Sequence, residues 1–206
     1  KQSNQPSPAL GAMTSVAGIM ENADLEEAGP LYEEFVQNMR AHAILFLLID
    51  AKPERFFKDL IVSGFAWRQY LQRCAESKYR DYCCALSRFD SFFDAIAGDH
   101  VELALEISGL GPANWMKGDE YEEDFCWVRF LSVFARHGNA AGGELDKLIQ
   151  RSETAMQGLP SGRLEVCRAL RSEDSDAFQV AFGELVRDWE AECEGVESRA
   201  EEEPLV

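Results

Sequence analysis

The feature that most constrains this chain is a helical period of apolar residues that returns along nearly its whole length, with no convincing pair of strands beside it. Leu31, Phe35, Met39 and Ala43 repeat every fourth residue. The pattern then thickens into the unbroken run Ala43 to Ile49, which predicts a first helix whose end is buried on most sides. Asp50 to Pro53 breaks it, and Pro53 suits the first turn of a second helix, where its missing amide proton is not needed. There Phe57, Leu60, Ile61, Gly64, Trp67, Leu71 and Cys74 form one stripe. After a polar hinge near Ser77, Tyr82, Ala85, Leu86, Phe89, Phe93 and Ile96 form a third stripe, with Gly98 expected as a left-handed stop. Asp99 with Glu102 three residues on predicts a capped fourth helix. Val101, Leu103, Leu105 and Ile107 also alternate as a strand would, but Glu, Leu and Ala favour helix and no partner strand is available.

Glycines and Pro112 between Ser108 and Gly118 predict a loop. A fifth helix is expected from about Asp119 to Gly138, with Phe125, Val128, Leu131 and Phe134 inward. A sixth carries Leu145, Leu148, Ile149 and Ser152, and a seventh, after Pro160, carries Leu164, Cys167 and Leu170. An eighth carries Phe178, Ala181, Phe182, Leu185 and Trp189. The breaks at Gly98, Gly138 and Asp174 each end one helix and launch another, at spacings of 40 and 36 residues. The expected fold is therefore all-α: about eight helices in successive hairpins, as an irregular bundle or a short, tetratricopeptide-like α-solenoid. Residues 1–22 read as a disordered or appended N-terminal segment, 23–195 as a single helical domain and 196–206 as an acidic tail.

Charge narrows the function. The chain has 37 acidic against 20 basic residues, a net charge of −17. A protein that grips nucleic acid or an anionic bilayer needs the opposite field, so neither is expected as a direct partner. The 46% hydrophobic content supplies a core, so the acidity is not a sign of disorder. It is also uneven: −5 in residues 1–50, +1 in 51–100, −5 in 101–150 and −8 in 151–206. Six cysteines show no Cys-x-x-Cys spacing, and Cys126 and Cys167 sit in apolar helical patterns as small hydrophobes, which suits a reducing cytoplasm. No segment approaches the ~20 apolar residues needed to span a bilayer.

No arrangement of residues announces chemistry, and the expectation is a protein that is not an enzyme and carries no cofactor. His42, His100 and His137 fall in different elements, and a pair such as Cys84 with His100 would have to be assembled by the fold. Gly109-Leu110-Gly111 lacks the third glycine and preceding strand of a dinucleotide site. Asp119, Glu120, Glu122, Glu123 and Asp124 are the densest acid cluster, but no His-bearing metal element accompanies them, and acids gather at helix N-termini for the macrodipole alone. Trp115 at a loop tip beside these acids and Tyr121 has the composition of an interface facing Arg or Lys on a partner. Trp115 plugging the core beneath its loop is the competing reading.

The words Arg40-Ala41-His42-Ala43-Ile44-Leu45, Gly98-Asp99 and Gly118-Asp119-Glu120-Tyr121, spread over residues 30–190, resemble the all-α immunity proteins of bacterial polymorphic toxin systems delivered by type VI or contact-dependent secretion. The resemblance implies a cytoplasmic antidote that occludes the basic active-site cleft of a cognate toxin, a nuclease or another enzyme that holds anionic substrates. On that expectation Trp115, Asp119, Glu120, Tyr121, Glu122, Glu123 and Asp124 meet the toxin. The alternative is a helical-repeat adaptor that binds a peptide or a secretion-system component.

Overall fold

A computed structural model describes residues 22–51 and 53–202, so the expected N-terminal segment lies outside the described residues apart from Asn22, as do residues 203–206 of the expected tail. The described residues are all-α, as the periodicity requires, and the segment 101–110 that also alternated like a strand is helical. The sequence reading treats 23–195 as one domain; the structure divides the chain into two compact units, with the boundary after Glu120.

The first unit is built on two long antiparallel helices, α1 (Leu25–Asp50) and α2 (Pro53–Ser77). Asp24 caps α1 by accepting the Glu27 amide at 3.0 Å, and Ala51 ends it in the left-handed region at φ +49°. Pro53 opens α2, as expected. Two 3-10 turns, Tyr82–Cys84 and Leu86–Arg88, lead into α3 (Asp90–Ala97) and α4 (Val101–Leu110). Helix α2 packs against α1, α3 and α4 and is the centre of the unit. Its Leu60, Trp67, Tyr70, Leu71 and Cys74 are buried, each large side chain contributing about 1.5–3 kcal/mol by leaving water. Tyr70 stacks obliquely on both Tyr32 and Trp67, with ring centroids 5.4 Å apart in each pair.

Four local expectations are corrected. On α1 the buried row is Ala28, Tyr32, Val36, Met39 and Ala43, one residue out of phase with Leu31 and Phe35. The run after Ala43 is not buried: Ile44, Leu45, Leu47, Leu48 and Ile49 are exposed, because α2 covers one side of α1 there, where Phe46 lies beneath Arg55. At the α3–α4 turn Gly98 has φ −76° and the left-handed residue is Asp99 at +58°. Gly98 is required for proximity, since a Cβ there would lie 2.6 Å from Cγ1 of Ile61. The cap of α4 is likewise His100, whose Nδ1 accepts the Leu103 amide at 3.3 Å, in place of Asp99.

The second unit is α5 (Glu122–His137), α6 (Gly142–Ala155), α7 (Gly162–Ser172) and α8 (Ser175–Glu202). The expected breaks at Gly138 and Asp174 lie in the turns of the α5–α6 and α7–α8 hairpins, and α7 packs on both α5 and α6. Helix α5 begins at Glu122 rather than about Asp119, and α8 continues as helix through 196–202 of the expected tail. Phe125, Cys126, Val128, Phe130, Val133, Leu145, Leu148, Leu164 and Cys167 form the core. Ser161 caps α7 by accepting the Leu164 amide, and Asp174 caps α8 by accepting the amides of Asp176 and Ala177. Of the apolar residues expected inward on α8, Ala181 is buried, while Phe182 and Trp189 are exposed.

Candidate functional site

The seven residues expected at the partner surface are divided by the unit boundary. Trp115, Asp119 and Glu120 belong to the first unit, where they close a loop on itself. The Trp115 indole N–H donates to the Glu120 carbonyl at 3.1 Å, and the Glu120 carboxylate accepts the amides of Met116 at 3.1 Å and Ser87 at 3.0 Å. Glu120 is thus a clasp that ties the loop to the second 3-10 turn, with each carboxylate oxygen accepting one amide of the chain. Trp115 is half-buried, and Asp119 is exposed with its amide bonded to the Met116 carbonyl.

Tyr121 to Asp124 open α5 in the second unit. Tyr121 is 74% exposed. Glu122 pairs with Arg151 of α6, whose guanidinium also sits over the Phe125 ring, and Asp124 pairs with Arg163 of α7 at 2.5 Å. Glu122 therefore holds α6 to α5 rather than facing outward. Glu123 makes no ion pair among the described residues.

Glu123 and Asp124 line a groove of about 640 Å³ formed by α5, the loop before α7, and α8. Its walls carry Trp127 from α5, Met156 and Pro160 from the loop, and Leu185, Val186, Asp188 and Trp189 from α8. At one wall the start of α7 packs on α8, where a Cβ on Gly162 would sit 3.4 Å from the Leu185 backbone. Three carboxylates face one cation, Arg163, which Asp124 already holds. Trp189 is 63% exposed, and Asp188 makes no ion pair among the described residues. Indoles and carboxylates are the groups that can take a guanidinium or ammonium, since a ring face attracts a cation and a carboxylate accepts its hydrogen bonds.

The density of acids at the start of α5 points to Glu123 and Asp124, whereas periodicity places Trp189 on an inward stripe and singles out neither Trp127 nor Asp188. The available signal was that Phe178, Phe182, Val186 and Trp189 form a longer apolar row than one short partner helix can cover.

The groups weighed for nucleophilic chemistry are placed differently. Cys84 lies beside Cys74 and Tyr70; the Cys74 thiol hydrogen bond draws its thiol down to about 7, and burial pushes the Tyr70 hydroxyl and Cys167 thiol up. Cys74, Cys83 and Cys84 are wholly buried, and Tyr70 donates to Asp81 at 2.9 Å. His100 is occupied as a helix cap, and His42 bonds Asp59 at 2.9 Å. Among the described residues no group of His, Cys, Asp and Glu is arranged to hold a metal ion, and no helix is long and apolar enough to cross a membrane. In comparison with known proteins the chain matches no family model, no curated protein and no solved structure.

Proposed function

We propose that the chain is an immunity-type binding protein that neutralises a cognate toxin by seating a basic segment of it in the α5–α7–α8 groove. The observation that carries the reading is the groove itself, with Trp127 and Trp189 set among Glu123, Asp124 and Asp188 and a single, already paired cation. The immunity class rests on the sequence resemblance; the groove supports the basic partner. The mechanism is occlusion. Acidic charge accelerates encounter with a basic cleft, the indoles supply apolar area, and the carboxylates take hydrogen bonds from arginines that would otherwise hold the toxin's anionic substrate. No turnover is involved. Compared with the sequence expectation, Glu123 and Asp124 stay at the proposed interface, Tyr121 and Asp119 are exposed but outside the groove's lining, and Glu122, Glu120 and Trp115 act in folding.

The adaptor alternative uses the same groove, because a concave aromatic cleft also suits a basic peptide. Co-expression with the toxic product of the adjoining gene separates the two. The immunity reading predicts that the wild-type chain restores growth and that Glu123→Lys with Asp188→Lys does not, at equal soluble levels. Binding of a basic peptide without any rescue supports the adaptor.

A further inference from the structure

A second surface, confined to the first unit, is independent of the groove. At the α1–α2 turn Ile44, Leu45, Leu47, Leu48, Ile49 and Phe57 are all exposed, Leu48 to 76%. With on the order of 200 Å² of surface for a residue of this size, the six present roughly 600–700 Å². That exceeds most apolar patches on a monomer and approaches the ~800 Å² that each partner contributes to a standard interface. We infer that this tip is a self-association surface, and that its occupant is the α1–α2 tip of a second copy of the chain.

Two observations select a second copy. The first is the shape of the patch. At ~100° per residue the exposed positions of α1 sweep about 200° of the helix circumference, too wide for one flat contact but suited to two hairpin tips that interleave as four helices. The second is charge. Around the tip, Arg40, Lys52, Arg55 and Lys58 stand against Asp50, Glu54 and Asp59, so the patch sits in a nearly neutral stretch of an otherwise acidic chain. Helix α1 is 26 residues and therefore ~39 Å long, so contact at its far end joins two copies where repulsion is weakest.

Sedimentation equilibrium of the full chain, from about 1 to 200 µM and at low and high salt, tests this. The expected result is a monomer–dimer equilibrium that tightens at least threefold as salt screens the repulsion between acidic copies. Leu45→Glu with Leu48→Glu should weaken it at least tenfold with the circular dichroism spectrum unchanged, because both side chains are exposed. A monomer at every concentration overturns the proposal, as does a dimer indifferent to the double substitution. Co-sedimentation of a monomer with phosphatidylcholine or phosphatidylglycerol vesicles would assign the tip to lipid instead. Dimerisation only after removal of residues 1–21 would assign it to the chain's own N-terminal segment.

Discussion

Ser63→Ala tests how the first unit is held together. Ser63 and Ser91 are fully buried and Asp94 is 4% exposed. Ser63 donates to Asp94 at 2.7 Å and shares a hydrogen bond with Ser91 at 3.1 Å, while Arg40 of α1 reaches Asp94 at 3.1 Å and Asp90 at 2.7 Å. One carboxylate thus joins α1, α2 and α3. Burial raises the Asp94 carboxyl above the ordinary carboxylate range, and the Ser63 hydrogen bond and Arg40 charge pull it back. Removing the Ser63 hydroxyl deletes a hydrogen bond to a buried charge, a loss of about 1.5–3 kcal/mol. It also lifts the folded-state value further from the unfolded one. A raised folded pKa penalises the ionised folded state, so the loss is full well above that pKa. It shrinks toward the ~1 kcal/mol of a neutral hydrogen bond as acid protonates Asp94. Urea denaturation followed by circular dichroism, from pH 8 down to the onset of acid unfolding, should show the loss largest at the high end and shrinking as the pH falls. Ser172→Ala, on an exposed hydroxyl bonded to backbone, should change stability by less than ~0.5 kcal/mol throughout. A Ser63→Ala loss below that level, or one that grows as the pH falls, would refute the buried network.

Further expectations concern packing, the loop clasp and the thiols. Leu71→Ala, at a fully buried position, should cost about 2–5 kcal/mol. Leu48→Ala at the tip should cost less than ~0.7 kcal/mol when measured on dilute protein, since only about a quarter of a leucine's burial is lost. Glu120→Ala should raise amide hydrogen exchange at Ser87 and Met116, whose partner it removes, with little change across α6 to α8. In a Cys193→Ser chain the native protein should give no rapid thiol titration near pH 8, and five equivalents after denaturation, because Cys74, Cys83, Cys84, Cys126 and Cys167 are free and buried. A prompt native equivalent would contradict that placement.

Helices were legible because each must bury one side, and that repeats in sequence whatever the partner is. Phase was less legible. Leu31–Phe35 and Tyr32–Val36 both make rows at four-residue spacing, and only tertiary packing selects the second. The Ala43–Ile49 run misled for a related reason: apolarity on all sides signals burial only if something lies on all sides. The cap at His100 escaped because a neutral imidazole nitrogen accepts a hydrogen bond where the motif expects a carboxylate or hydroxyl. The groove was half legible. Glu123 and Asp124 stood out as a local cluster, whereas Asp188 and Trp189 lie more than sixty residues further along and reach it only through the α7–α8 hairpin.

The most direct test of the central claim is calorimetric titration of the chain with the proposed cognate toxin domain, in about 50 and 300 mM salt. The account predicts one-to-one binding that weakens at least tenfold with salt, and loses about 1–3 kcal/mol for each of Glu123→Lys and Asp188→Lys. Affinity unchanged by the two reversals together, or indifferent to salt, would contradict it.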